Sequence, residues 1–218
     1  MNNKRYNVQS MNTDSKRESL ILEILEVIEG QNDVTQRHLA DRLGVALGLT
    51  NSYLKRCIRK GFIKVQQAPA NRYLYYLTPK GFAEKSRLTV SFLSSSFDTY
   101  RTASRDYANV MRKCREQDLR RVIFCGYSEL AEIASLRAKE RGIEIMGVYE
   151  PDSNEVDFLG LPVWRNAHEL PLADVSILTA LNNPGLLYQQ VKENFKKLDC
   201  IVPDFLSHIS DNGTQGDK

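Results

Sequence analysis

The sequence has little of what marks a secreted, metal-binding or membrane-spanning chain. Its four cysteines, Cys57, Cys114, Cys125 and Cys200, stand far apart, with no CxxC pair and no histidine at ligand spacing. That pattern argues against a disulfide framework or a zinc site and for buried thiols. The three histidines, His38, His168 and His208, are scattered. No stretch approaches the roughly 18 uncharged apolar residues of a membrane-spanning helix. The first residues, MNNKRYNVQSMNTDSKRES, contain no apolar secretory core. Residues 1–15 therefore read as a disordered arm, residues 208–218 as a disordered tail, and the chain as cytoplasmic. Internal repeats and low-complexity segments are absent as well. So is any local nucleophile–base pair or carboxylate dyad, and the chain reads as a binding protein rather than an enzyme.

What is present is enough apolar material for two modest domains or one large one: 218 residues, 42% of them hydrophobic. The small net charge of +3 hides an uneven distribution. Residues 1–90 carry 15 Lys/Arg against 8 Asp/Glu, whereas residues 91–218 carry 15 against 19. A polyanion would dock on the first half.

Apolar spacing predicts a helix over 15–29, with Leu20, Ile21, Ile24, Leu25, Val27 and Ile28 on one face and Gly30 as its stop. A short helix over 36–43 follows, capped by Asp33 or Thr35 and closed by Gly44. A third runs over 47–60. Two β-rich runs, 62–66 and 72–77, flank a turn containing Pro69 and Asn71, which makes a hairpin. Helix, helix, helix, hairpin is the order of a winged helix-turn-helix, here spanning residues 16–87. Pro79 sits where a first helical turn tolerates it. The helical region that follows reads as interrupted at Ser94–Ser96 and as continuing to about residue 117. Residues 88–118 carry more apolar surface than a linker needs and are expected to pair with a second copy as a homodimer.

In a helix-turn-helix the second helix of the motif enters the major groove. On the 47–60 helix, Thr50, Leu54, Cys57 and Ile58 should face inward. Asn51, Ser52, Lys55, Arg56 and Arg59 lie on or beside the opposite face, where Asn and Arg can read purine edges and cations can neutralise phosphates. Gln36 and Arg37 open the preceding helix, where backbone N–H groups favour a phosphate. Lys64 and Arg72 stand on the wing with Gln66, Gln67 and Asn71. The partner these imply is double-stranded DNA. The segments VTQRHLADRLGVALGLTNSYLKRCIRKGFIKV and RYLYYLTPKGFAEKSRLT resemble the MarR-type winged-helix transcriptional regulators associated with exopolysaccharide gene clusters. The resemblance runs from about Leu20 to Thr89 and implies fold, DNA binding and control of polysaccharide genes.

From residue 120 the pattern changes to short apolar strands alternating with helices, over 121–125, 128–141, 143–149, 160–164, 175–179, 184–198 and 200–202. Alternation of this kind implies a parallel Rossmann-like α/β sheet over residues 119–207. The complete fold class is thus multidomain α/β: an N-terminal winged helix-turn-helix, a helical linker and a C-terminal Rossmann-like sheet. The first strand-to-helix turn places Gly126, Ser128 and Ala131 where a dinucleotide fingerprint has three glycines. Glu150 ends the second strand about 20 residues later, where an acid commonly grips a ribose. The stretch from Asp157 to Trp164 resembles the Rossmann-like N-terminal domains of nucleotide-sugar-modifying acetyltransferases and related oxidoreductases. That resemblance implies a pocket lined by Gly126, Tyr127, Ser128, Glu150, Leu181, Asn182 and Asn183, and a nucleotide or nucleotide-sugar as a small-molecule effector. The serine at the middle position leaves two alternatives open, a C-terminal module used only for dimerisation or protein contacts, and a DNA-tethered nucleotide-sugar enzyme.

Overall fold

The computed structural model describes residues 13–69, 72–195 and 198–207. Asn71, His208, most of the arm and the whole tail named above lie outside them. The chain divides into two compact units, residues 1–96 and 97–218.

In the first unit, α1 (Thr13–Gly30), α2 (Gln36–Leu43) and α3 (Leu47–Arg59) precede an antiparallel hairpin of β1 (Ile63–Ala68) and β2 (Arg72–Leu77). Ile21, Ile24, Leu25 and Ile28 recur at helical spacing on α1 and are buried against Leu39, Leu54, Cys57, Ile63 and Tyr75. Each such side chain contributes roughly 1.5–3 kcal/mol by leaving water. Thr35 caps α2, its hydroxyl accepting from the His38 N–H at 3.1 Å. The hairpin is tied to α4 (Pro79–Glu116) through Thr78. The Thr78 hydroxyl accepts from the Gly81 N–H at 3.0 Å and donates to the Gly61 carbonyl at 2.6 Å. A Cβ at Gly81 would come within 2.1 Å of the Phe62 carbonyl oxygen, so only glycine lets helix and hairpin meet. This contact accounts for the Thr-Pro-Lys-Gly run. Lys85 pairs with Glu29, and Arg87 with Glu18 at 2.9 Å, fastening α4 to α1.

The helix α4 is a single 38-residue element, not an interrupted one. Serine in a helix costs only a few tenths of a kcal/mol relative to alanine. Both ends of this helix are anchored in packed cores: Leu88 belongs to the first, and Ala103, Tyr107, Val110, Met111 and Cys114 to the second.

The second unit is a six-stranded sheet in the order β5-β6-β4-β3-β7-β8. Its strands are β3 (Arg121–Cys125), β4 (Glu144–Tyr149), β5 (Asp157–Phe158), β6 (Leu161–Trp164), β7 (Val175–Leu178) and β8 (Cys200–Ile201). All pairings are parallel except β5 with β6. The sheet is therefore mixed, whereas the alternation of strand and helix implies a parallel one. A two-residue antiparallel edge strand is too short to leave a periodic signal. Crossovers through α5 (Glu129–Glu140) and α6 (Pro184–Asn194) run outward from β3 and β7 in opposite directions. The strand order thus reverses between β3 and β7, as in doubly wound α/β sheets, which place a crevice at that point. Two anchors hold this junction. The Asp174 carboxylate accepts from the backbone N–H groups of Arg120 and Arg121, both at 2.8 Å, and from the Arg121 guanidinium at 3.3 Å. Those bonds hold its pKa below the usual carboxylate range. The buried Tyr107 hydroxyl of α4 donates to the Leu178 carbonyl at 2.9 Å, and burial pushes its pKa well up.

Candidate nucleic-acid interface and the turn after β3

The helix α3 presents a sorted surface. Thr50, Leu54 and Cys57 are buried, with Cys57 held at a raised pKa of about 11 chiefly by desolvation. Opposite them, Gly48, Ser52, Lys55 and Arg59 are exposed. At about 100° per residue, positions 48, 52, 55 and 59 form one stripe. Arg56 and Asn51 lie on its flanks and are half-buried. The Asn51 side-chain amide oxygen is covered by protein and has no hydrogen-bond partner among the described residues. Asn51 sits about a quarter turn from the outward stripe. Ile58 is half-buried rather than buried.

Gln36 and Arg37 are exposed at the start of α2, with the Gln36 amide 3.5 Å from the Tyr75 hydroxyl. On the hairpin, Ile63 lies opposite Leu77 and Val65 opposite Tyr75, so these pairs share the inward face. Lys64, opposite Tyr76, and Arg72, opposite Ala68, project from the other face and are exposed. None of Arg37, Lys55, Arg56, Arg59, Lys64 and Arg72 forms an ion pair among the described residues. By contrast Lys85, Arg87, Arg112 and Arg137 are each held by a carboxylate. Sequence reasoning missed Leu47 and Leu49, exposed at 41% and 44% in the first turn of α3. Their signal is an apolar pair beyond the reach of the inward periodicity, at the end of the helix that approaches base edges.

The turn after β3 brings together four of the residues expected to line a pocket. Gly126 has φ +114°, and a Cβ there would lie 2.3 Å from the Ala180 backbone. Close approach to the strand end at Ala180 therefore requires this glycine without any ligand. Ser128 caps α5, its hydroxyl accepting from the Leu130 N–H at 3.1 Å and donating to the Thr179 carbonyl at 2.5 Å. The Glu150 carboxylate accepts from the Tyr127 N–H at 3.0 Å. The Tyr127 ring meets Phe158 edge-on at 4.9 Å and stays 42% exposed. Two donors that a phosphate would use are thus taken by the protein's own oxygens, one of them negatively charged. Asn182 and Asn183 lie in the loop after β7, where both are exposed, and Asn183 adopts the left-handed conformation (φ 46°) that opens α6.

A family model described as winged helix-turn-helix DNA-binding matches residues 17–64, covering most of α1, all of α2 and α3, and the start of β1. Among solved structures, the Streptococcus pneumoniae FabT in complex with DNA is similar at 24% identity over 43% of this chain, with a TM-score of 0.30. The chain spans 62% of that protein, less than two thirds of it. The zinc-responsive MarR family member ZitR of Lactococcus lactis is similar at 17% identity over 64% of this chain and 82% of its own, with a TM-score of 0.32. Human N-acetylserotonin methyltransferase in complex with SAM is similar at 12% identity over 82% of this chain and 72% of its own, with a TM-score of 0.28. No curated protein matches by sequence. Among the described residues, no helix is long and apolar enough to cross a membrane.

Proposed function

We propose that this chain is a dimeric, sequence-specific DNA-binding transcriptional regulator of the MarR type, not an enzyme, and that it acts on polysaccharide genes. The carrying observation is the set of cations without ion pairs among the described residues, Arg37, Lys55, Arg59, Lys64 and Arg72, on α2, α3 and the wing of a winged helix-turn-helix. Lys55 and Arg59 reach base edges, with Ser52 beside them. Leu49 packs against thymine methyl groups. Arg37, Lys64 and Arg72 neutralise phosphates. Asn51, Arg56 and Gln36 support this surface from its margins. Mapping bound genomic fragments should return a recurring two-fold symmetric site next to polysaccharide genes. Affinity for it should fall steeply with salt, as counterion release requires. Recovery of fragments with no shared sequence would reverse the reading.

For the α/β unit, the geometry favours a module for protein contact over a nucleotide sensor. The Glu150 carboxylate on the Tyr127 N–H repels a phosphate at the one turn built to hold it. A second reading, an effector site for a nucleotide or nucleotide-sugar, rests on the reversal of strand order between β3 and β7. It draws also on the exposed Tyr127, Asn182 and Asn183 at the ends of those strands. The two readings part in a thermal-shift experiment on the full chain with NAD, UDP-glucose and coenzyme A at about 100 times a micromolar dissociation constant. A bound ligand would add about 2.7 kcal/mol there. No shift is expected with any of the three. A rise in the unfolding temperature with one of them would restore the sensor.

A further inference from the structure

The strands β3, β4 and β7 run parallel, so the residues that follow them emerge at one edge of the sheet. Four large apolar side chains are bare there. Tyr127 follows β3 and is 42% exposed, Leu181 follows β7 at 52%, and Leu186 in the first turn of α6 is at 54%. Val156, at the end of the loop after β4, is 77% exposed. Contacts already described join these positions. The close approach of Gly126 to Ala180 makes the next residues, Tyr127 and Leu181, leave the sheet from adjoining points. The Tyr127 ring meets Phe158, two residues beyond Val156. The Val156 carbonyl accepts from the Val163 N–H at 3.1 Å. Val163 pairs with Val148, so Val156 is held one residue short of the level where β4 ends.

The charge around these side chains has one sign. Residues 126–129, 150–156 and 179–186 include Glu129, Glu150, Asp152 and Glu155 and no lysine, arginine or histidine. Asp152 and Glu155 are exposed. Arg165, after β6, is the cation that follows a neighbouring strand. An exposed apolar patch rimmed by polar groups is the mark of a protein-contact surface. Its negative rim narrows the occupant. Phosphates, nucleic acids and anionic lipid surfaces are repelled. A two-fold contact of this edge with its own copy would set like charges against each other, at a cost. A segment with aliphatic side chains between lysines or arginines meets both features: the aliphatic groups cover the patch and the cations offset its rim.

We propose that this edge of the α/β unit, with Tyr127, Leu181, Leu186 and Val156 as its apolar patch and Asp152 and Glu155 beside it, docks a cationic, aliphatic segment of a partner protein. This rests on the protein-contact reading above and gives it a surface and a partner chemistry. The test is fluorescence anisotropy on the full chain with three labelled peptides of equal length, one of leucine and lysine, one of serine and lysine, and one of leucine and glutamate. The leucine–lysine peptide should bind with a roughly micromolar dissociation constant, and the other two at least about tenfold more weakly. Leu181→Ser/Leu186→Ser should weaken its binding about tenfold or more. Asp152→Asn/Glu155→Gln should weaken it and flatten its salt dependence. Leu172→Ser, in the segment before β7 and so at the opposite edge, should leave it unchanged. All five side chains are exposed, so unfolding followed by Trp164 fluorescence should keep its wild-type midpoint in each variant. Equal binding of the serine–lysine or the leucine–glutamate peptide would overturn the partner chemistry. Undiminished binding in both edge variants would overturn this surface and leave the protein-contact reading in place. Displacement of the bound peptide by NAD or UDP-glucose would overturn that reading itself. Loss of self-association in Leu181→Ser/Leu186→Ser, read by sedimentation equilibrium, would make the occupant a second copy and overturn the proposal.

Discussion

Gly126→Ala should destabilise the α/β unit by on the order of 2–6 kcal/mol. Two costs combine. The backbone at Gly126 has φ +114°, where a side chain is strained by about 1–3 kcal/mol. The new Cβ would also stand 2.3 Å from both the Cα and the N of Ala180. These are backbone atoms at the end of β7 and cannot rotate away, so the overpacking costs a further amount of about 1–3 kcal/mol. The neighbouring bonds tighten the site further. The Gly126 carbonyl accepts from the buried Thr179 hydroxyl at 2.8 Å, and the Gly126 N–H donates to the Tyr149 carbonyl at 3.0 Å. Trp164, the chain's one tryptophan, lies in β6 of this unit and reports its urea unfolding by fluorescence. Gly142 serves as the comparison, with φ +61° but nothing within 4 Å of the position an added Cβ would take. Its alanine variant should cost about 1 kcal/mol, from backbone strain alone. If both alanines cost the same, the close approach at Ala180 does not constrain the turn. A glycine kept only for a ligand would predict no loss in the unliganded protein.

Lys55→Ala/Arg59→Ala should weaken operator binding more than any other pair on the first unit. A cation that reads a base edge is worth about 1–3 kcal/mol. Loss of both should therefore reduce affinity by roughly 30-fold to 10⁴-fold, with relaxed sequence preference. Both side chains are exposed on the outward stripe of α3, so the fold should not change. Arg56→Ala, on the half-buried flank, should cost less than Arg59→Ala. Lys64→Ala/Arg72→Ala should act differently, lowering affinity about equally on all sequences and reducing the salt slope by about one per lost phosphate contact. Band-shift titrations at two or more salt concentrations separate these outcomes. Wild-type binding by Lys55→Ala/Arg59→Ala would remove α3 as the reading helix.

The winged helix was legible because its signals are local. Thr35, Gly44, Gly61 and the periodic Ile21, Ile24, Leu25 and Ile28 mark helix ends and faces within a few residues of where they act. The outward stripe was legible only in part. Ser52, Lys55 and Arg59 follow from periodicity, but the covering of the Asn51 side-chain oxygen does not. The unbroken course of α4 through Ser94–Ser96 was not legible either. Local propensity there is weak, and anchors on each side, at Leu88 and Ala103, decide it.

The helix-turn-helix with which the chain reads DNA in the proposed function was determined by the sequence itself, through spacing and caps. So was the alternation of strand and helix beyond residue 120. What only the tertiary structure decided is the state of the turn after β3. Gly126 answers to Ala180, 54 positions away, and Tyr127 to Glu150, 23 positions away. A motif read along the chain shows which groups are available to a phosphate. Only the packed sheet shows that the protein's own carboxylate and carbonyl have already engaged them.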